Sequence, residues 1–527
     1  MSPSRRVTAR TLAEAEKLAV LRFTPAERRQ AAASYGSYRA GIREARDANL
    51  DNGEAPAGGF DPRLPGMAFE MEQRPLVRSK RVPRLPSADI DIAFAPVSTL
   101  SRWIESGKLS SERLTRIYLD RLKRHDAKLH CVITLIERQA LAAARRADAE
   151  IAEGHYRGPL HGIPWGAKDL LDTRGVRTTW GAMPYKDRVA KRDATVVERL
   201  AEAGAVLIAK LSLGALASGD VWFEAKTRSP WDRRQGASGS SAGSGAAVAA
   251  GLVGFAIGTE TLGSIVSPSM RNGAAGLRPT FGRVPRSGAM ALSWTMDKIG
   301  PMTRGVEDTA LVLDAIRGAD GEDLSATDLP FNFDASERVR GLRVGHIARD
   351  FRGRGSAASD RQALDELRAV GAQVEPLRLP KLPGRALLSP ILFVEVAAAF
   401  DDLTRSDRDD LMVRQSPDAW PNMLRTARMV PAVEYVQATR LRTRLMRDLD
   451  AAFDGFDAII TPGRWSPLVA LTNYTGHPTL TLRAAVTNGR PRSVTLVGPL
   501  YEEGTLIRLG MALERRLDVR DLRPPID

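Results

Sequence analysis

The chain has 527 residues, 43% hydrophobic and 27% charged, which reads as an ordinary globular protein with a large core, built as one large domain or two fused ones. No stretch approaches the run of about 18 apolar residues that a membrane-spanning helix requires, and the single cysteine, Cys131, excludes an internal disulfide and any cysteine-rich metal site. A net charge of +14 raises the question of nucleic acid. Apart from RPLVRSKRVPR over 74–84, however, the basic residues are interspersed with acidic ones, which reads as a solvated basic surface with no nucleic-acid partner.

The first twenty residues carry basic side chains but no apolar segment behind them, so neither a secretory peptide nor a twin-arginine signal is complete, and a cytoplasmic location is expected. Thr24-Pro25-Ala26-Glu27 is a capping box with proline at the first helical position and predicts a helix from Glu27 to about Tyr38. The Gly/Pro/Asp-rich stretch from Asp51 to Pro65 and the proline-interrupted basic run ending at Pro86 can continue neither a helix nor a central strand. A boundary near Ser87 is therefore expected, with residues 1–87 as a helical and extended appendage and 88–527 as the main domain.

Beyond the boundary, strand-like and helix-like patterns alternate. Ser110-Ser111-Glu112 opens a helix with Leu114, Ile117, Tyr118 and Leu122 on one face. Val132 to Ile136 is short and β-branched, and Glu137 to Glu153 is Ala-rich and helical. Cys131 sits in the apolar run LHCVITLI and reads as a small buried hydrophobe, not a nucleophile. A helix is expected over Thr195 to Ala203, and strands over Ala205 to Ala209, Leu342 to Ile347, Ala458 to Thr461 and Ser493 to Val497. This alternation predicts an α/β sheet covered by helices on both faces.

Residues 236–288 are dense in Gly, Ser and Ala, a composition that permits close backbone approach and could bring serines together with N–H groups turned inward. Attack on an amide carbonyl needs such a nucleophile, a proton acceptor, and donors aimed at the developing oxyanion. Three simpler readings compete. Gly239-Ser240-Ser241-Ala242-Gly243 matches the G-x-S-x-G nucleophile elbow with His346 and His477 downstream, but the preceding SPWDRRQGAS is turn-like where an elbow needs a buried strand. Gly243-Ser244-Gly245 lacks the third glycine of a dinucleotide fingerprint. A flexible linker is excluded by Ala246 to Ile257, too apolar and too helical to stay solvated. The residues by themselves predict a serine acyl-transfer site whose partners stay open.

The same segment resembles the signature of the amidase signature family. Gly239-Ser240-Ser241-Ala242-Gly243-Ser244 follows G-S-S-G-G-S, Gly258 to Ile265 follows G-T-D-x-G-G-S-I, and Gly276 to Val284 follows G-L-K-P-T-x-G-R-V. Upstream, Gly158 to Asp169 is similar to G-P-L-x-G-I-P-x-x-x-K-D, and Asp297 to Arg304 and Asn473 to Pro478 also fit, so the resemblance spans about 90–516. It implies an α/β amidase signature fold with a central mixed sheet. It also implies an amidase that cleaves a carboxylic amide C–N bond through an acyl-enzyme. Lys168 matches the family's base, Ser240 the relay serine preceded by a cis peptide bond, and Ser264 the acylated serine, with the N–H groups of Thr261, Leu262, Gly263 and Ser264 as oxyanion hole. Lysine serves as base only when neutral, and the apolar Ile163 to Ala167 ahead of it predicts the burial that lowers its pKa. The expected partner is a small-molecule amide. No cofactor or metal is expected, and the oligomeric state stays open between monomer and homodimer.

Three departures from the pattern bear on the pocket. Leu262 replaces the first glycine of G-G-S, Glu260 replaces the aspartate, and Val266 replaces an arginine that often follows the nucleophile. Such variation points to a stand-alone amidase rather than the glutamine-hydrolysing A-type component of an amidotransferase, which usually keeps those residues. The competing readings are a catalytically inactive scaffold of the same fold and the amidotransferase component. The substrate pocket is expected along Ser356 to Arg440, with Phe393, Phe400, Trp420 and Met423 read first as core residues.

Overall fold

The computed structural model describes residues 7–47, 50–352, 358–463 and 466–526. The strands are β1 (Val132–Leu135), β2 (Pro164–Lys168), β3 (Val206–Leu211), β4 (Phe255–Glu260), β5 (Ala275–Arg278), β6 (Lys298–Thr303), β7 (Arg343–His346), β8 (Gln373–Pro376), β9 (Ala458–Thr461), β10 (Thr479–Thr487) and β11 (Arg490–Val497). Among the described residues they form a single sheet in the order β1-β3-β2-β4-β6-β5-β10-β11-β9-β7-β8. β2 runs parallel to both β3 and β4, and β7 is parallel to β8 and β9, whereas every other pairing is antiparallel. This is the mixed sheet that the resemblance implies. β2 and β4 are buried along their whole length, as expected of central strands covered on both faces.

The helix Ser111–Leu129 shows how the local sequence builds a cover for the sheet. Ser110 caps it, its hydroxyl accepting from the Arg113 N–H at 3.1 Å, and the apolar face expected from the periodicity is buried at Leu114, Ile117, Tyr118 and Leu122. Full burial of each such side chain contributes roughly 1.5–3 kcal/mol. Glu137–Ala152 packs against this helix and β3, and Thr195–Glu202 is the next helix, close to the expected bounds. Cys131 is fully buried and its thiol is pushed well above the usual range, first by burial and then by the Asp126 carboxylate, as an inert core residue requires.

One expected element differs. The apolar run from Ala246 to Ile257 is not one helix: the helix Ala242–Ala249 ends, a turn follows, and Phe255–Glu260 becomes the central strand β4. Both halves are completely buried, so no polar face gave the run a period to read.

The N-terminal residues form a helical hairpin and a long extended strap. Thr8 caps Ala9–Ala19, and Pro25–Asp47 opens at the expected capping box, with the Thr24 N–H donating to Glu27 at 2.6 Å and the Glu27 N–H donating to the Thr24 hydroxyl at 3.3 Å. A Glu16–Arg28 ion pair at 2.7 Å joins the two helices. From residue 50 the chain runs over the main body. Gln73 donates to the Phe331 carbonyl, Val77 pairs with residues 333 and 335, Arg78 meets Glu105 at 2.7 Å, and Trp103 donates to the Pro83 carbonyl. No helix among the described residues is long and apolar enough to cross a membrane.

Candidate active site

In the parallel pair β2 and β4 Ala167 lies opposite Ile257, β4 extends two residues beyond the end of β2, and residues at and just after these carboxyl ends form the site. Lys168 is the last residue of β2 and is fully buried. Its Nζ lies 2.8 Å from Ser240 Oγ, 2.8 Å from Thr259 Oγ1, 3.0 Å from Ser241 Oγ and 3.3 Å from the Thr259 carbonyl. Burial lowers its pKa to about 7, against the raising influence of Asp297 and Glu260, so a large neutral fraction exists at neutral pH. Lys168 and Ser240 are thus brought together, and the Gly239–Ser240 peptide is cis.

Small residues make this approach possible. A Cβ on Gly239 would lie 1.7 Å from the Gly219 carbonyl oxygen, and one on Gly243 would lie 2.5 Å from both the Cys131 carbonyl oxygen and the Ser212 nitrogen. Ser241 ties the two serine loops together: its N–H donates to the Ser264 carbonyl at 3.1 Å, and its hydroxyl accepts from the Thr259 N–H at 3.2 Å. The histidines of the elbow reading lie elsewhere in the bonding network. His477 pairs with the Thr475 hydroxyl and stacks on Phe453, while His346 Nδ1 faces the Glu375 carbonyl oxygen.

Ser264 follows β4 on a tight loop in which Gly263 has φ of +95°, a conformation that favours glycine. Among the described residues, the backbone N–H groups of Leu262, Gly263 and Ser264 have no protein acceptor. Leu262 is half-buried and packs against the core. The loop is clamped at both ends. Glu260 accepts from the N–H groups of Ile265 at 2.8 Å and Val266 at 2.9 Å, and its other oxygen accepts from Arg278 at 2.8 Å in an ion pair with no exposure. Burial opposes its charge, yet Arg278 and the Val266 N–H hold the carboxyl below its usual range. On the other side the Thr261 hydroxyl donates to Asp297, which also accepts from the Leu292 and Ser293 N–H groups. The sequence flagged Glu260 only as a departure, and Arg278 and Asp297 only as members of motifs.

A cleft of about 300 Å³ opens beside Thr259 and Thr261, with an apolar lining from Leu170, Met290, Leu292, Trp294 and Ile299. None of the residues that line this cleft comes from the stretch 356–440. Phe400 and Trp420 are core residues there, Met423 packs partly buried against the core, Phe393 is half-buried, and Ser356 lies outside the described residues. The helix Arg385–Ala399 acts indirectly, since its Glu395 accepts from Ser293, Thr295 and Tyr435 and so braces the cleft wall.

The family model described as Amidase matches residues 113–464. The A component of the glutamyl-tRNA(Gln) amidotransferase of Moorella thermoacetica is 34% identical over 83% of this chain and 99% of its own length. The native peptide amidase from Stenotrophomonas maltophilia superposes with a TM-score of 0.73 at 31% identity, covering 82% of this chain and 99% of its own. An amidase family protein from Bacillus anthracis superposes with a TM-score of 0.72 at 26% identity, covering 83% and 94% respectively. The chain therefore belongs to the amidase family, the group whose signature its serine- and glycine-rich segment resembles.

Proposed function

We propose that the chain is an amidase that hydrolyses a small-molecule carboxylic amide, with Ser264 as nucleophile, Ser240 as proton relay and Lys168 as base. The observation that carries this reading is the buried Lys168 amine, 2.8 Å from Ser240 Oγ and with its pKa lowered to about 7. Ser264 Oγ attacks the carbonyl carbon, its proton passes to Ser240, and the Ser240 proton passes to Lys168. The N–H groups of Thr261, Leu262, Gly263 and Ser264 hold the oxyanion, each donor being worth roughly 3–4 kcal/mol in such sites. Collapse breaks the C–N bond as the relay runs backward to protonate the departing amine. Water then attacks the acyl-serine ester by the same route and releases the acid.

Residues 88–527 form the amidase unit in this reading, with 1–87 as an appendage. A second reading, the A-type component of an amidotransferase that hydrolyses glutamine for a partner, is favoured by the 34% identity to the Moorella protein over nearly all of its length. Purified chain assayed alone on simple amides and on glutamine, with intact-mass and peptide mapping after a fluorophosphonate probe, separates the two. Amide turnover with one adduct on Ser264 supports the stand-alone enzyme. Glutamine turnover only in the presence of a partner supports the amidotransferase reading, and absence of any adduct supports an inactive scaffold.

A further inference from the structure

The cleft has one wall that lies outside the matched family segment: Gly53, Glu54 and Ala55, from the strap, line it together with the apolar residues of 290–299. The strap is latched there by one side chain. Asn52 Nδ2 donates to the Ala291 carbonyl at 2.9 Å and to the Ala399 carbonyl at 3.1 Å, and its Oδ1 accepts from the Ala291 N–H at 2.7 Å. Trp294 Nε1 donates to the Asn52 carbonyl at 3.2 Å, so the latch and the cleft wall hold each other. Glu54 turns back to accept from the Asp51 N–H at 2.7 Å, which keeps Gly53–Ala55 in a tight turn at the rim. Phe60, further along, packs edge-on against Phe281 and seats the strap beyond the turn.

We propose that this latched turn sets the size selectivity of the enzyme, closing the cleft to substituents larger than a compact apolar group on one side of the scissile amide. The inference rests on the amidase reading above. A cleft of about 300 Å³ sits at the small end of the range for ligand pockets, and its lining offers dispersion contact to an alkyl or aryl group. Because the turn is held by side-chain hydrogen bonds and not by the sheet, its position changes with residue 52 while Lys168, Ser240 and Ser264 stay in place.

The test uses full-length wild type, Asn52→Ala and Gly53→Leu, the last chosen because a Cβ at Gly53 meets open space. Initial rates are measured on two series of amides, one lengthened from acetyl to phenylacetyl on the acyl side, the other from methylamine to benzylamine on the amine side. In one series, Asn52→Ala raises kcat/KM for the largest member relative to the smallest by about tenfold, chiefly through KM, and Gly53→Leu lowers that ratio by a similar factor. Ratios within about twofold of wild type in both series for both variants, or a uniform fall across all members, overturn the proposal. Fluorophosphonate labelling of Ser264 separates the failures: labelling with unmoved ratios sinks the rim alone, whereas a wild type that neither labels nor turns over amides sinks the amidase reading and the rim with it.

Discussion

Two stretches of chain meet at the cleft, and they differ in how they are held. Residues 236–288 fold into the sheet, with β4 and β5 both antiparallel to β6, and their contacts are dictated by close packing of small buried residues. The strap from residue 50 onward belongs to no strand and reaches the cleft through Asn52, whose partners stand 239 and 347 positions away. In the proposed reading, proton transfer belongs to short motifs at and just beyond strand ends, whereas access to it belongs to a segment held by side-chain hydrogen bonds outside the sheet.

That division breaks down if substitutions in the sheet-borne group leave turnover intact. Ser264→Ala and Lys168→Ala are each expected to lower kcat by about 10⁴-fold or more, with near-unchanged circular dichroism, since removal of a nucleophile or its base abolishes the acyl-transfer route. Glu260→Gln tests the buried ion pair behind the serine loop. It leaves Arg278 buried without a charge partner and weakens the clamp on Ile265 and Val266, so stability falls by about 3–5 kcal/mol in chemical denaturation and kcat falls with it.

The pH dependence follows next in size. If Lys168 is the base, as proposed, it acts only when neutral, so kcat/KM is expected to rise with pH, reach half its plateau at about 7, and fall about tenfold per unit below that. The lowered pKa also has a sign for folding. Lys168 has a folded pKa of about 7 against an ordinary value of 10.5, so the unfolded chain binds the extra proton between these limits, and the Lys168 contribution to stability grows as pH rises through that window. A pH–rate profile that stays flat from about 5 to 9 counts against Lys168 as base. Ser110→Ala, at a helix cap remote from the cleft, is expected to cost about 1 kcal/mol of stability in denaturant melts and to leave kcat/KM unchanged.

The sequence made the chemistry more legible than the access. Lys168, Ser240 and Ser264 each lie in a recognisable motif, and the helix Ser111–Leu129 and strands such as β1 and β9 carry a period or a β-branched composition. β4 escaped because Phe255–Glu260 continues an apolar run with no polar alternation. The cleft wall escaped for a different reason. Met290, Leu292 and Trp294 are ordinary apolar residues in a loop, and the contacts that hold this loop include distant ones, to Glu395 about a hundred positions away and to Asn52. Pairings at that separation leave no local periodicity to read.

The buried pair of Glu260 and Arg278 has a bearing on inheritance. Both positions depart from the aspartate and lysine of the signature, and in the folded chain they are two ends of one contact shut away from water. A longer acid meets a forked base in this contact, so shortening either alone leaves a misfitted charge, while changing both together is expected to restore a match. The two codons are expected to co-vary, and a double-mutant cycle on Glu260→Asp and Arg278→Lys should show the combined change costing less than the sum of its parts.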